Sequence, residues 1–334
     1  MEDSVAILGC GSWGTALAIL LANSGRKVRM WGPFEDEVEL LREKREHTIR
    51  LPGVKIPDTV EVATDMVEVV EGATVLVLVV PSHVMRETAR LVPLMEDVVP
   101  DVACFSKGLE TDTMLRMSEV LAEELSPALA ERLVIVSGPS HAEEVARGLP
   151  TVVSAASTNQ EAALHVQQVF MTSRFRVYTN NDVVGVEIGA AIKNVMAIAA
   201  GISDGLGFGD NTKAALIARG LAEMQRLGIA VGGHPETFAG LSGVGDLIVT
   251  CASRHSRNRG LGERIGKGET LKDILASSVM VAEGVKTCQA VVKLAKKHGI
   301  EVPITEAVHR VLFEGLDPAE GVARLMGRDP KSEI

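Results

Sequence analysis

A glycine-rich turn near the N-terminus constrains the fold of this chain more than any other feature. The apolar run Val5–Leu8 leads into the letters G-C-G-S-W-G, and an apolar helical pattern over Thr15–Asn23 follows them. The glycines of this motif are Gly9, Gly11 and Gly14. The first permits a tight turn, the second lets the backbone approach a phosphate, and the third lets the helix pack on the strand. Because the first N–H groups of a helix are unpaired, they favour an anion. The motif predicts a strand–turn–helix unit that binds a dinucleotide pyrophosphate, with a purely structural turn as the alternative.

Composition narrows the class of protein. The chain has 334 residues, of which 46% are hydrophobic and 23% charged, as expected of a globular protein long enough for two domains. Its net charge of −10 argues against non-specific nucleic-acid binding. The four cysteines show neither metal-ligand spacing nor a disulfide framework. We expect no signal peptide, since residues 1–4 precede the first strand directly, and no membrane span, since no uncharged apolar segment reaches ~20 residues. A cytoplasmic enzyme without a metal is the expectation.

The first half of the chain alternates between strand-like and helical patterns. Apolar runs that predict strands lie at Val5–Leu8, Val28–Trp31, Val75–Val80, Val102–Phe105, Leu133–Val136, Thr151–Ala155 and Arg176–Thr179. Helical patterns between the first five cover Thr15–Asn23, Glu35–Arg45, His83–Leu94 and Met114–Leu125. Continuous Val, Ile and Leu runs are typical of parallel strands buried on both faces. The alternation predicts an α/β fold, a Rossmann-type doubly wound and mostly parallel sheet.

From Val183 onward the sequence shows helical segments separated by glycine-rich breaks, and no convincing strand pair. We therefore predict an all-helical C-terminal domain. The dinucleotide-binding domain would cover 1–180, and a substrate-binding and catalytic domain would cover 181–334. Helices rich in small residues fit either domain packing or a dimer interface, so a homodimer is left open.

Polar segments follow three of the predicted strands. They are Pro81-Ser82-His83, Ser106-Lys107-Gly108 and Ser137-Gly138-Pro139-Ser140. Ligands of open α/β sheets bind beyond the carboxyl ends of the strands, which makes these segments candidates for ligand contact. Ser140 with Glu143 also fits a helix capping box, which is compatible with anion binding. The alternative for Lys107 is a plain solvated lysine.

Lys193 is the most informative polar residue of the second half. It lies in the apolar helical stretch Val183–Gly201, and its neighbours at helical spacing are the small residues Gly189, Ala190, Ala197 and Ala200. Burial would lower the pKa of this lysine from about 10.4, as a general base near neutral pH requires. The alternative is a lysine paired with Glu187 or Asp246 for helix packing. Asp246 precedes an apolar helix, where it could orient Lys193 or cap the helix.

An arginine-rich segment, S-R-H-S-R-N-R over residues 253–259, follows in this acidic protein. Arginine suits bidentate recognition of phosphate, and Ser256 and Asn258 can donate to further oxygens. A solvated charge run is the alternative. Combined with an activated lysine and a carboxylate, the segment indicates a small phosphorylated alcohol or ketone as substrate.

Five longer blocks of sequence extend this pattern along nearly the whole chain. They are Gly9–Ala18, Phe105–Glu110, Ser137–Thr151, Glu187–Leu216 and Gly240–Gly262. In this order they resemble the bacterial-type NAD(P)-dependent glycerol-3-phosphate dehydrogenases. Because several independent blocks match, the resemblance goes beyond a shared fold. It implies hydride transfer between sn-glycerol 3-phosphate and dihydroxyacetone phosphate, which supplies glycerol 3-phosphate for phospholipid synthesis.

The resemblance also implies roles for individual residues. Lys193 would accept the proton of the C2 hydroxyl as hydride leaves C2, while Asp246 and Asn194 orient it and the reacting oxygen. The implied substrate-binding residues are Lys107, Gly138, Ser140, Lys193, Asp246, Ser256, Arg257 and Asn258. With the glycines of the turn, the implied cofactor-binding residues are Gly9, Gly11, Ser12, Trp13, Gly14, Lys107, Ala142, Arg257, Val281 and Glu283.

The choice between NAD and NADP stays open at the sequence level. A carboxylate at the end of the second strand favours NAD, and an arginine there favours NADP. This chain carries Pro33 and Phe34 at that place, where the family commonly has a polar or basic residue.

Two rival functions remain: a related two-domain dehydrogenase such as a ketopantoate reductase, and a non-catalytic nucleotide-sensing module. Neither explains both the phosphate-binding segment and a lysine among small residues.

Overall fold

A single mixed sheet organises the first half of the protein. The computed structural model describes residues 3–95, 98–277, 282–330 and 332. Its strands are β1 (Ser4–Leu8), β2 (Lys27–Trp31), β3 (Val60–Ala63), β4 (Val75–Leu78), β5 (Asp101–Cys104), β6 (Leu133–Ser137), β7 (Thr151–Ala156) and β8 (Phe175–Asn180). They form one sheet in the order β3-β2-β1-β4-β5-β6-β7-β8. Neighbouring strands are parallel except for the antiparallel pair β6 and β7. The predicted Rossmann-type, mostly parallel sheet is confirmed.

One strand, β3, is absent from the sequence-based prediction. Glu61 interrupts the apolar run of its four residues, whereas β4, which is equally short, is apolar throughout. As the outermost strand it exposes Glu61 to solvent, so it lacks the continuous apolar run of the inner strands. Two arginine side chains donate hydrogen bonds to the carbonyl groups of this edge: Arg42 Nε donates to Val62 O at 2.7 Å, and Arg45 donates to Val60 O at 2.9 Å.

Helices cover both faces of the sheet. They are α1 (Ser12–Asn23), α2 (Glu35–Lys44), α3 (Met66–Val70), α4 (Met85–Arg90), α5 (Met117–Glu124), α6 (Pro127–Ala130), α7 (Ala142–Ala146) and α8 (Gln160–Phe170). Two predicted helices are shorter than expected. The segment 83–94 begins with a 3₁₀ turn, Ser82–Val84, before α4. The segment 114–125 becomes helical only at Met117, because Met114 has a left-handed backbone with φ of 65°.

The described residues of the second half form helices joined by turns and loops, with no strand among them, as predicted. Its helices are α9 (Val183–Gly205), α10 (Asp210–Ala230), α11 (Pro235–Phe238), α12 (Asp246–Ala252), α13 (Arg257–Gly266), α14 (Leu271–Ser277), α15 (Glu283–His298), α16 (Pro303–Phe313) and α17 (Pro318–Met326). One π-helical turn, Leu241–Gly245, leads directly into α12. Most of this half packs around one apolar core, to which the sheet half adds Leu109, while Val186 of α9 joins one of the two cores that flank the sheet.

Helix α9 lies at the centre of the helical core. By length and composition alone it could cross a membrane, but 89% of its most apolar window is buried inside the protein. Glycines bring its backbone against α13: a Cβ at Gly201 would lie 2.0 Å from Arg259 O, and one at Gly262 would lie 2.1 Å from Ile198 O. The helix is apolar because neighbouring helices cover it, and it holds Lys193 in a fixed place.

A buried ion pair joins this central helix to the sheet half. The Glu187 carboxylate accepts from Arg116 at 2.8 Å, from Ser118 N at 2.8 Å and from Ser118 Oγ at 2.6 Å. Burial raises the pKa of Glu187, while the charge of Arg116 and the donors of Ser118 act in the opposite direction. Glu187 is therefore not the partner of Lys193, contrary to one of the alternatives left open by the sequence.

Candidate active site

The glycine turn has the shape that a dinucleotide pyrophosphate requires. Gly9 has a φ of +127°, which an L side chain rarely adopts. A Cβ at Gly14 would lie 1.9 Å from Gly9 O, so only glycine allows α1 to pack this closely. At Gly11 the nearest atom to such a Cβ is 3.8 Å away, and the first residue of α1 follows immediately. The open space beside Gly11, at a helix N-terminus, fits a phosphate group.

The other cofactor candidates of the first half surround this turn. Ser12 is buried at the start of α1, and Trp13 packs edge-on against Phe105 with ring centroids 6.0 Å apart. Ala142 is buried at the start of α7, a helix that packs against α1. Val281 lies outside the described residues. The fit of this cradle to NAD or NADP therefore rests on the glycines and α1.

Two lysines share one carboxylate at the carboxyl edge of the sheet. Lys193 Nζ, on α9, lies 2.5 Å from Asp246 Oδ1, and Lys107 Nζ, just after β5, lies 2.9 Å from Asp246 Oδ2. Thr250 Oγ1 accepts from Lys193 at 3.1 Å, and Ser137 Oγ donates to Asp246 Oδ2 at 3.3 Å. Lys193 is 6% exposed and Asp246 1%. The fold thus joins residues 139 positions apart in one buried cluster.

Burial makes this cluster chemically active near neutral pH. It lowers the pKa of Lys193 to about 7, because desolvation and the charge of Lys107 outweigh the opposing pull of Asp246. Burial alone would raise the pKa of Asp246, but the charges of Lys107 and Lys193 lower it. Asp246 therefore stays ionised, while Lys193 exchanges a proton close to pH 7. A pKa matched to the operating pH is what general acid–base catalysis requires.

Asp246 does not cap its helix. It is the first residue of α12, and Gly245 before it makes no side-chain cap. The capping alternative is therefore wrong, and the carboxylate faces the two lysines. The π-helical turn before α12 supports this orientation: a Cβ at Gly243 would lie 2.0 Å from Phe238 O, so glycine is needed for the close turn.

The polar segments after β4, β5 and β6 meet at the same sheet edge, as expected of parallel strands. Lys107 Nζ donates to Gly138 O at 3.2 Å, and Gly138 needs its φ of +147° to end β6 there. The predicted capping box is wrong: His141, without a side-chain cap, is the N-cap of α7. Ser140 Oγ instead donates to Gly138 O at 2.9 Å. Ser140 thus supports the loop that carries the carbonyl bound by Lys107.

A chain of amide contacts connects the lysine helix to the arginine-rich segment. Asn258 Nδ2 donates to Asn194 Oδ1 at 3.0 Å, and Gly284 N donates to Asn258 Oδ1 at 2.9 Å. Ser256 caps α13 by accepting from Arg259 N at 3.2 Å. Three predicted substrate or catalytic residues, Asn194, Ser256 and Asn258, are therefore fixed beside one another. Through Asn194, which follows Lys193 on α9, this polar cluster is tied to the helix that carries the reactive amine.

The arginines of this segment divide into different environments. Arg259 is bound by Asp204 through contacts of 2.6 and 2.7 Å, so it serves helix packing. Arg257 is exposed at the start of α13. Its charge acts on Glu283, together with the charges of Lys107 and Lys193. Burial raises the pKa of Glu283, and these cations oppose that rise. Arg257 and Glu283 therefore lie close enough to the lysine cluster to share its electrostatics.

His141 belongs to the site although sequence reasoning gave it no role. Its Nε2 atom is buried and makes no hydrogen bond. Burial and the charge of Lys193 lower the pKa of His141, so its ring is neutral at pH 7. The ring lies 5.9 Å from that of His255, which belongs to the arginine-rich segment. Thr250 was missed as well, and the contact of Ser137 with Asp246 was not foreseen, because only the folded chain brings these residues together.

Comparison with known proteins identifies the family. Residues 4–163 match the model of the NAD-dependent glycerol-3-phosphate dehydrogenase N-terminus, and residues 182–323 match that of the C-terminus. The chain belongs to the NAD-dependent glycerol-3-phosphate dehydrogenase family. This result confirms the resemblance drawn from the sequence blocks. It also confirms the predicted enzyme class, an NAD(P)-dependent oxidoreductase acting on a CH–OH group, which this family represents.

Individual relatives of this dehydrogenase agree with the assignment. An NAD(P)+ glycerol-3-phosphate dehydrogenase of Pelotomaculum thermopropionicum is 52% identical over 100% of this chain and 96% of its own length. The crystal structure of glycerol-3-phosphate dehydrogenase from Coxiella burnetii has a TM-score of 0.92 and 41% identity, covering 98% of this chain and 99% of that one. A ketopantoate reductase structure from Ralstonia eutropha reaches a TM-score of 0.61 at 17% identity, covering 96% of this chain and 99% of its own. That likeness shows a shared fold alone.

Proposed function

We propose that this chain catalyses reversible hydride transfer between sn-glycerol 3-phosphate and dihydroxyacetone phosphate, using NAD or NADP. The main structural support for this proposal is the buried cluster in which Lys193 and Lys107 bind the two carboxylate oxygens of Asp246. A lysine with a pKa of about 7 can give and take a proton at the working pH. The relatives, which are named glycerol-3-phosphate dehydrogenases, support the same substrate.

Lys193 performs the proton transfer in this proposal. In the oxidation direction its neutral amine takes the proton of the C2 hydroxyl, and in the reduction direction its ammonium returns that proton to the carbonyl oxygen. When bound, the nicotinamide accepts or supplies the hydride at C2. Asp246 fixes the amine through Oδ1 and stays ionised, so it stabilises the ammonium form. Lys107 is placed to contact the substrate and to depress the pKa of Lys193.

The polar cluster of Asn194, Ser256 and Asn258, with Arg257, would bind the rest of the substrate. Arg257 would pair with the phosphate, and its neighbours Ser256 and Asn258 are held in place by capping and amide contacts. Asn194, bound to Asn258, would orient the reacting oxygen. Gly138 and Ser140 would form the opposite wall through the loop that accepts from Lys107.

Steady-state reduction of dihydroxyacetone phosphate, followed by the loss of reduced-cofactor absorbance at 340 nm, tests the proposal. NADH and NADPH should be assayed side by side, and ketopantoate should serve as the rival substrate. We expect turnover with the triose phosphate and none with ketopantoate. Arg257→Ala should mainly raise the KM for the phosphorylated substrate. Absence of turnover with the triose phosphate, or an unaltered KM in the variant, would contradict the assignment.

Further parts of the proposal concern the setting of this reaction. We propose domains over 1–180 and 181–334, supported by largely separate apolar cores and by the last strand ending at Asn180. We also propose that the enzyme works in the cytoplasm and supplies glycerol 3-phosphate to phospholipid synthesis. A homodimer is part of the proposal, and sedimentation velocity at several concentrations would test it.

A further inference from the structure

The end of β2 lacks the charged residue that would select between NAD and NADP. Gly32, Pro33 and Phe34 follow this strand, and none of them carries a charge. In folds of this kind, the adenosine ribose lies beside the end of the second strand, where an arginine accommodates the 2′-phosphate of NADP. The next charged residues, Glu35 and Asp36, are acids, so a cation that pairs with a 2′-phosphate must come from another segment of the chain.

Arg50 occupies this region from the segment between α2 and β3. Its guanidinium NH1 atom is the nearest atom to a Cβ built at Gly11, at 3.8 Å. The end of β2 touches the same turn, because a Cβ at Gly32 would lie 2.4 Å from Cys10 Sγ. Cys10 lies between the first two glycines of the motif, and the charge of Arg50 acts to lower the pKa of its thiol. The guanidinium thus lies where the second strand and the glycine turn converge.

Neighbouring side chains hold Arg50 in this position. Glu37 Oε1 pairs with Arg50 NH1 at 3.0 Å and with His47 Nε2 at 3.0 Å. His47 is buried, whereas the Arg50 side chain is 36% exposed. The hydrogen bond from His47 and the charge of Arg50 lower the pKa of Glu37, although burial acts in the opposite direction. A preformed, partly exposed guanidinium is suited to a phosphate, since little side-chain freedom remains to be lost on binding.

We propose that Arg50, held by Glu37 beside the glycine turn, contacts the 2′-phosphate of NADP and so gives this enzyme its capacity to use that cofactor. The inference rests on the proposed function, because it concerns which dinucleotide the same site takes. Recognition of the 2′-phosphate, which Pro33 and Phe34 cannot provide, is thereby assigned to a segment outside the glycine motif. Arg50 acts here as a specificity residue with no part in proton transfer.

Direct binding of two nucleotides without nicotinamide tests this assignment. Adenosine 2′,5′-bisphosphate carries the 2′-phosphate, and AMP lacks it. By titration calorimetry on the full chain, Arg50→Gln should weaken bisphosphate binding about 10- to 100-fold, as expected for one charge-assisted contact. AMP binding should change less than about twofold. Arg50→Lys, which keeps the charge but loses the planar fork, should fall between the wild type and Arg50→Gln.

Arg42→Gln is the matched control, because Arg42 serves Glu35 and Val62 O rather than the glycine turn. It should leave both affinities unchanged. Equal weakening of both nucleotides by Arg50→Gln would show a contact to the 5′-phosphate and overturn the inference, as would unchanged binding of both. If Arg50→Gln fails to fold, Arg50→Lys alone must weaken the bisphosphate more than AMP for the inference to survive.

Kinetics give an independent check. The ratio of kcat/KM for NADPH to that for NADH should fall at least about tenfold in Arg50→Gln, with kcat for NADH retained. A fall of equal size for both cofactors would count against the assignment. A protein that binds both nucleotides as expected but does not reduce dihydroxyacetone phosphate would overturn the proposed function and leave this inference standing.

Discussion

Replacing Lys107 by methionine should raise the pKa of Lys193. The ammonium groups of these lysines bind opposite oxygens of one carboxylate at 2.5 and 2.9 Å, which places them about 5 Å apart. At an effective dielectric constant of about 20, two like charges at that distance repel by about 3 kcal/mol. This repulsion corresponds to about 2 pKa units. Without it, the pKa of Lys193 should move from about 7 to about 9.

The pH dependence of kcat/KM for glycerol 3-phosphate oxidation measures this change. Oxidation needs the neutral amine, so the rate rises with pH through the pKa of Lys193 in the free enzyme. At pH 7 the neutral fraction should fall from about one half to about one hundredth, and the rate should recover by about pH 10. Loss of a substrate contact at Lys107 would lower the plateau at every pH without moving the midpoint. An unmoved midpoint, or one displaced to lower pH, would refute the electrostatic argument.

Three further substitutions probe the base, the link between the halves and the glycine turn. Lys193→Ala should reduce turnover about 10²- to 10⁴-fold with an unchanged circular dichroism spectrum, and near-normal turnover would exclude Lys193 as the proton acceptor. Arg116→Ala leaves the buried Glu187 carboxylate without its cation and should lower the free energy of unfolding by about 3–5 kcal/mol in urea titrations. A loss below about 1 kcal/mol would show that Ser118 suffices. Gly14→Ala puts a Cβ 1.9 Å from a carbonyl oxygen of the turn, so calorimetry should detect no AMP binding.

The sequence predicts most of the sheet because inner parallel strands are long apolar runs. The exception is β3, whose four residues include Glu61 and lie at the outer edge. Helix ends are predicted less accurately: the backbone at Met114 is left-handed, and no sequence pattern indicates this conformation. Ser140 satisfied the capping-box pattern, but its hydroxyl found a nearer acceptor in Gly138 O. Local patterns fail where a competing contact comes from the folded chain.

The candidate site divides in the same way. The small residues around Lys193 indicated burial, and burial is what lowers its pKa. The pairing of Asp246 with both lysines depends on contacts across 53 and 139 positions, which spacing along a sequence cannot specify. His141 was not predicted for a similar reason, since the sequence does not show that its Nε2 atom is buried or that its ring lies within the electrostatic influence of Lys193. The candidate site residues could be identified from the sequence, whereas the residues that they contact could be identified only from the folded structure.

The arginines along β3 affect how copies of this protein can meet. An outer strand with unpaired carbonyl groups is a template for the backbone of another chain. Here the carbonyl oxygens of Val60 and Val62 already accept from Arg45 and Arg42. An approaching strand would have to displace two guanidinium groups and tolerate their charge. Crowded or newly synthesised molecules are thereby protected from growing a continuous intermolecular sheet by strand pairing at this edge.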